Sequence, residues 1–148
     1  MEHASVMRTA SLLHESARQL SKSLDRRLAT RGVTAQQAAL LVALANGETS
    51  PKQLAATLGT DTAGATRLID RLESKALLRR HRAAEDRRAV VLELTAAGRQ
   101  LVPALVPAFA AVSAEFFDGL TEADIRGVGD ALAHALANVA AAHDPSAG

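Results

Sequence analysis

The chain has 148 residues, enough for one domain or for one domain with an appended association element, and 48% of them are apolar, enough to supply a core. Only 2% are aromatic and none is cysteine, which excludes disulfides, thiolate metal sites and thiol redox switching and favours close helix packing over a sandwich or barrel. The net charge of +1 hides an uneven spread: six Lys/Arg stand against four Asp/Glu in residues 1–49, nine against five in 50–90, and two against seven in 91–148, so the middle is basic and the end acidic.

From the N-terminus, Leu13, Ala17, Leu20, Leu24 and Leu28 recur at steps of three and four and predict a helix from Met7 to Ala29. Arg18, Lys22 and Arg26 form a second stripe on it, read as a solvated face. Arg31-Gly32 ends the helix, and Thr34-Ala-Gln-Gln37 has the form of a capping box that opens a second helix through Leu44 or Ala45. Asn46-Gly47 stops it. Ser50-Pro-Lys-Gln53 repeats the box with proline in the first turn, predicting a third helix over Pro51 to Leu58. Gly59-Thr60-Asp61 is a turn of the length found in a helix-turn-helix, with Asp61 as the cap of a fourth helix from Thr62 to Lys75. Its buried face should carry Ala65, Leu68, Ile69 and Leu72.

Two apolar, strand-prone stretches follow, Ala76-Leu77-Leu78 and Val90 to Leu94, flanking a loop that is expected to hold Arg79, Arg80, Arg82, Arg87 and Arg88. That pattern is a basic wing. Thr95 caps a fifth helix reaching about Phe117, which Pro103 and Pro107 should kink or split, because an interior proline removes a backbone hydrogen bond at a cost of about 3 kcal/mol. Thr121-Glu-Ala-Asp124 opens a sixth, apolar through Ile125, Val128, Leu132, Leu136 and Val139, with a frayed tail from His143. The expected fold is therefore mainly α with a small β-wing, a winged helix-turn-helix over 34–94. Residues 1–33 and 95–148 form a helical lobe whose apolar stripes exceed what so small a winged helix can cover, which points to a second copy of the chain.

Three segments resemble the MarR (multiple antibiotic resistance regulator) family of bacterial transcription factors: Ser50 to Gly59, Asp61 to Leu78 with Thr66-Arg-Leu-Ile-Asp-Arg-Leu-Glu73, and Asp86-Arg-Arg-Ala89 with Leu94-Thr-Ala-Ala-Gly98. The resemblance implies a homodimer joined through helices 1, 5 and 6, each winged helix reading half of a pseudo-palindromic operator. It assigns the recognition helix to Thr62, Ala63, Gly64, Thr66, Arg67 and Arg71, with Arg67 first for a base contact, and the start of helix 3 to Ser50 and Lys52. In the wing it assigns Arg82, Asp86, Arg87 and Arg88, Arg87 entering the minor groove and Asp86 pairing with Arg88 or a nearby arginine to hold the tip. Asp70 is expected to brace a wing arginine. Two departures stand out: the family usually has glycine where Ala76 stands, and Gly64 lies inside the recognition helix, at about 1 kcal/mol relative to alanine.

The resemblance also implies a small aromatic or phenolic acid as effector and a repressor released by it; His14 and Arg18, four residues apart on helix 1, are the candidate contacts for such an anion, beside the commoner reading of a surface His and a solvated Arg. No cofactor is required and no metal is expected, since His134 and His143 lack the spacing of a ligand pair. No segment approaches the ~18 apolar residues of a membrane span, so the expected location is cytoplasmic. An enzyme is not expected, because no nucleophile, base and orienting group cluster and no phosphate-binding glycine loop occurs. The alternative is a winged-helix protein-interaction or ligand-binding adaptor that does not bind DNA.

Overall fold

In the computed structural model, which describes residues 3–142, the capping pairs read from the sequence are formed. Thr34 Oγ1 accepts from the Gln37 amide and Gln37 Oε1 from the Thr34 amide, both at 3.2 Å. Ser50 and Gln53 repeat the exchange at 3.1 and 3.4 Å. Asp61 Oδ1 takes the Gly64 amide at 2.6 Å, Thr95 Oγ1 the Gly98 amide at 3.1 Å, and Thr121 Oγ1 the Asp124 amide at 3.2 Å. Each satisfies a first-turn amide that has no intrahelical carbonyl to bond.

The elements in chain order are α1 (His3–Leu28), α2 (Ala35–Ala45), α3 (Pro51–Thr57), α4 (Thr62–Ser74), β1 (Leu78–Arg82), β2 (Val90–Leu94), α5 (Ala96–Phe116) and α6 (Glu122–Ala142), the caps opening α2 to α6. Over the described residues the chain is mainly helical with one two-stranded antiparallel sheet, as the sequence implies. Helix α1 begins earlier than expected and gives way to a 3-10 turn over Ala29–Arg31, closed by Gly32 at φ 72°. His143 and the tail beyond it lie outside the described residues. No helix among those described is long and apolar enough to cross a membrane.

Two compact bodies divide the chain, residues to Ser113 and residues from Ala114. In the first, Leu28, Leu40, Leu41, Leu54, Ile69, Leu72, Leu78, Leu92 and Leu105 are fully buried in one cluster, each apolar side chain contributing about 2 kcal/mol. Ala65, Leu68, Ile69 and Leu72 form the buried face of α4, as the periodicity predicts. The α1 stripe divides: Leu28 is buried, Leu24 packs on the core, and Leu13 remains exposed with Val6, Met7 and Leu12.

Helix α5 is not split at its prolines. Pro103 and Pro107 are four residues apart and exposed, so both missing N–H groups fall on one solvated face, while Leu105 and Val112 are buried and Leu101, Val102, Ala108 and Phe109 pack against the core. Burial on the opposite face outweighs two lost bonds whose carbonyls can turn to water.

A second correction concerns the wing. Arg79, Arg80 and Arg82 are strand residues, not loop: β1 pairs with β2 in the register Leu78↔Leu94, Arg79↔Glu93, Arg80↔Leu92, His81↔Val91 and Arg82↔Val90. The loop proper is only Ala83 to Ala89, and Ala76-Leu77 belong to the turn before the strand.

In the second body the Phe116 and Phe117 rings meet edge to face at 5.1 Å, and Gly119 at φ 81° turns the chain into the Thr121–Asp124 cap. The Asp124 carboxyl lies below its usual pKa because the Thr121 hydroxyl and amide both donate to it. Along α6, Ile125, Val128, Leu136 and Val139 are exposed and Leu132 half-buried.

Candidate nucleic-acid interface

The first body gathers the basic residues of the middle segment onto α4 and the wing. Helix α4 buries four apolar residues on one side, which by its 3.6-residue period sends Thr62, Ala63, Thr66, Arg67, Asp70 and Arg71 outward, all exposed. No ion pair or side-chain hydrogen bond among the described residues engages Arg67 or Arg71. The two flank a cavity of about 170 Å³ shared with Gln36, Thr60, Gly64 and Leu68. Gln36 is a neighbour that the sequence reading missed, because the second position of α2 carries no motif that ties it to α4.

Gly64 has a reason inside the chain. A Cβ there would overlap Thr60 Oγ1 and touch Asp61 Oδ1, the atom that caps the helix, so the close backbone approach is to the helix-turn-helix turn itself. Ser50 is engaged as the cap of α3, while Lys52 one step inside that helix is exposed.

The arginines of the wing divide sharply. Arg79 donates through Nε and Nη2 to Glu93 Oε2 at 3.0 and 2.8 Å across the strands, and His81 Nε2 lies 3.7 Å from the same oxygen. The Arg79 hydrogen bond holds the Glu93 carboxyl below its ordinary pKa, with Coulomb attraction to Arg79 adding to it. Arg80 is held from α4: one arm bonds Asp70, another Glu73 Oε1 at 2.6 Å, and its backbone N–H donates to Glu73 Oε2 at 3.0 Å. The hydrogen bond to Asp70 raises the Arg80 pKa, so this cation stays charged throughout the accessible range. Asp70 thus braces a wing arginine, as expected.

At the tip, Ala83 N–H donates to Ala89 O and Ala89 N–H to Asp86 O, both at 3.0 Å. Asp86 Oδ1 accepts from the backbone N–H of Arg88 at 2.9 Å, which corrects the expected pairing with an arginine side chain: the carboxylate shapes the turn through the main chain. Arg82 reaches from β1 to the Arg87 carbonyl at 2.7 Å. Those two bonds leave the Arg87 and Arg88 guanidinium groups exposed and, among the described residues, unpaired.

The wing is tied to its neighbours at three points. Leu92 N–H donates to Thr49 O at 2.9 Å, from the loop between α2 and α3. Thr95 Oγ1 donates to Ala76 O at 2.6 Å and its N–H to Leu77 O at 3.1 Å, while Arg99 Nη1 bonds Leu94 O at 2.7 Å. Ala76 sits at φ 56°, a left-handed conformation that costs an L-residue about 1–2 kcal/mol, held by Ala76 N–H to Glu73 O and Leu77 N–H to Leu72 O. Gly98 is buried so tightly that a Cβ would run into Leu77 O.

His14 and Arg18 lie on one exposed side of α1 with Ala10, Leu13, Ala17 and Ser21, around an open space of about 580 Å³. Arg18 is paired there with Glu15, whose carboxyl is lowered in pKa by hydrogen bonds from Gln19 and then Arg18.

Residues 31–89 match the MarR family model. Over 88% of its length the chain aligns with 97% of the transcriptional regulator PA3341, at 31% identity and a TM-score of 0.79. The chain belongs to the MarR family. A second similar structure is BpsR of Bordetella bronchiseptica, a protein whose DNA binding is regulated by 6-hydroxynicotinic acid: identity is 26%, coverage 86% of this chain and 97% of that one, and the TM-score 0.77. A single-site mutant of MarR from E. coli, complexed with operator DNA, has the same fold, at 23% identity, a TM-score of 0.81 and coverage of 89% and 96%. In this MarR-family chain Ala76 holds at the exit from α4 a left-handed backbone that glycine would adopt without penalty.

Proposed function

We propose that this MarR-family chain is a DNA-binding transcriptional repressor that acts as a homodimer, each protomer reading half of a pseudo-palindromic operator, and that a small aromatic or phenolic acid releases it. The observation that carries the reading is the division among the arginines. Arg79 and Arg80 are neutralised by carboxylates, whereas Arg67 and Arg71 on α4 and Arg87 and Arg88 on the wing are exposed and unpaired among the described residues. Unpaired guanidinium groups on a capped helix and a hairpin suit a phosphate backbone and base edges. Thr62, Ala63, Gly64 and Thr66 at the start of α4 lie beside them for base contact, with Ser50 and Lys52 on the neighbouring phosphates.

Dimerisation is supported by apolar exposure on α1 (Val6, Met7, Leu12, Leu13) and α6 (Ile125, Val128, Leu136), which a second copy would bury with residues 1–33 and 95–148 as the shared lobe. The effector class follows the similarity to BpsR. His14 and Arg18 are its candidate contacts, with Arg18 exchanging Glu15 for the acid's carboxylate.

The test starts by selecting bound duplexes from a random pool, then titrates affinity against salt. A reader with several phosphate contacts loses affinity steeply as salt rises; flat, weak binding at all salt concentrations would favour the adaptor instead. Arg87→Ala should weaken binding with the dimer mass unchanged, and unaltered affinity would refute the role given to the wing tip. Addition of 6-hydroxynicotinic or a phenolic acid should lower affinity if the effector class is right.

A further inference from the structure

Helix α4 carries two acidic residues where its own physics disfavours them. Asp70 and Glu73 are three residues apart, hence neighbours of like charge on the helix surface, and both lie in the half nearer the negative end of the helix dipole. Asp70 is also one step from Arg71 and three from Arg67, the latter being the spacing at which a carboxylate can pair with an arginine of its own helix. It pairs with neither: both acidic side chains turn to Arg80 of β1, which gives one arm to each, and Glu73 takes the Arg80 backbone amide as well.

Resting on the DNA-binding reading, we infer that Arg80 is a positioning residue that acts through charge rather than through contact: it sequesters Asp70 and Glu73 so that Arg67 and Arg71 stay available to DNA. Without it, Asp70 would be released onto the outward face of α4, where it would pair with Arg67 or stand against phosphate within a screening length of about 8 Å. Arg80 is itself half-buried and committed to both carboxylates, so it does not count among the phosphate contacts.

Removing both carboxylates as well as the arginine separates this role from a mere brace. The probe is a duplex of about 30 base pairs selected from a random pool by the wild-type dimer, long enough for two half-sites one turn apart with flanks. Arg80→Gln should lower affinity about tenfold at 0.15 M salt while the salt slope stays within one unit of wild type. Adding Asp70→Asn and Glu73→Gln to that variant should restore affinity to wild type or better, because no carboxylate is left to shield. Far-ultraviolet circular dichroism and urea unfolding would accompany each variant, and Asp70→Asn with Glu73→Gln alone should bind at least as tightly as wild type. If the triple variant binds as weakly as Arg80→Gln while folding normally, Arg80 works as a geometric brace and the inference is overturned. Loss of a full unit of salt slope in Arg80→Gln would overturn it too, by making Arg80 a phosphate contact. A wild-type protein that binds no duplex would overturn the DNA-binding reading and this inference together.

Discussion

Thr95 is one residue on which the wing, the end of α4 and the start of α5 all depend, and Thr95→Val isolates its hydroxyl. Valine keeps the β-branched shape and removes two hydrogen bonds, the acceptor for Gly98 N–H at 3.1 Å and the donor to Ala76 O at 2.6 Å. Gly98 is buried and its amide is in the first turn of α5, so no helical carbonyl replaces the lost partner; a lost N-cap of this kind costs about 1 kcal/mol. Ala76 is exposed and its carbonyl can turn to water, so that bond adds about 0.5–1 kcal/mol, and the total is about 2 kcal/mol. For a chain of this length that is a drop of about 4–8 °C in Tm. The assay is urea unfolding at a fixed protein concentration, since association would make apparent stability concentration-dependent, with Thr95→Ser as the control that retains the hydroxyl. A Thr95→Val protein within about 0.5 kcal/mol of wild type, or a Thr95→Ser protein as unstable as Thr95→Val, would refute the reasoning.

Other outcomes follow from single contacts. Gly98→Ala should destabilise by more than about 2 kcal/mol in the same unfolding assay, because its Cβ meets a backbone carbonyl that cannot rotate away. Ala76→Gly should hold or raise stability by up to about 1 kcal/mol, strain relief at φ 56° offsetting the added freedom of the unfolded chain; a loss above that would show the conformation to be unstrained. Arg67→Ala should relax preference at one base position by about 1–3 kcal/mol in competition binding, and a uniform loss across sequences would reassign Arg67 to phosphate. Glu93 has a pKa depressed in the folded state, so its contribution is present above its unfolded value and fades as pH falls through the folded one. The stability difference between wild type and Glu93→Gln should therefore be constant above about pH 5 and shrink below about pH 4.

The starts of α2 to α6 were legible because each cap is a local exchange between a side chain and amides three residues on, written in adjacent letters. Ser50-Pro-Lys-Gln53 and Thr34-Ala-Gln-Gln37 needed nothing from the rest of the chain. A first wing strand was legible at Ala76-Leu77-Leu78, but its extent was not, since Arg79-Arg-His-Arg82 has no β-branched residue and reads as a charged loop; its strand character comes from β2, whose apolar residues occupy the facing register. The split that the prolines of α5 suggested does not occur for a related reason, as a local penalty was weighed without the core contacts of Leu105 and Val112 on the other face. At the candidate site, α4 and the wing were recognisable as units, but the sequence left open which arginine Asp70 braces and did not show that Glu93 engages Arg79. Which arginines are free depends on Asp70, Glu73 and Glu93, whose partners lie seven to fourteen residues away.

The bond from Leu92 to Thr49 bears on the order in which the protein assembles. An isolated two-stranded ribbon is marginal in water, and β2 gains an additional backbone partner only when the loop between α2 and α3 has arrived from far up the chain. Closing that loop costs entropy before any contact rewards it. Helices α2 to α6, each started by its own local cap, should form first and the hairpin settle late, with unfolding in turn beginning there. Hydrogen exchange at the amides of Val90 to Leu94 should then be faster than at those of Leu68 to Leu72, which makes the wing the earliest part to open under mild denaturant.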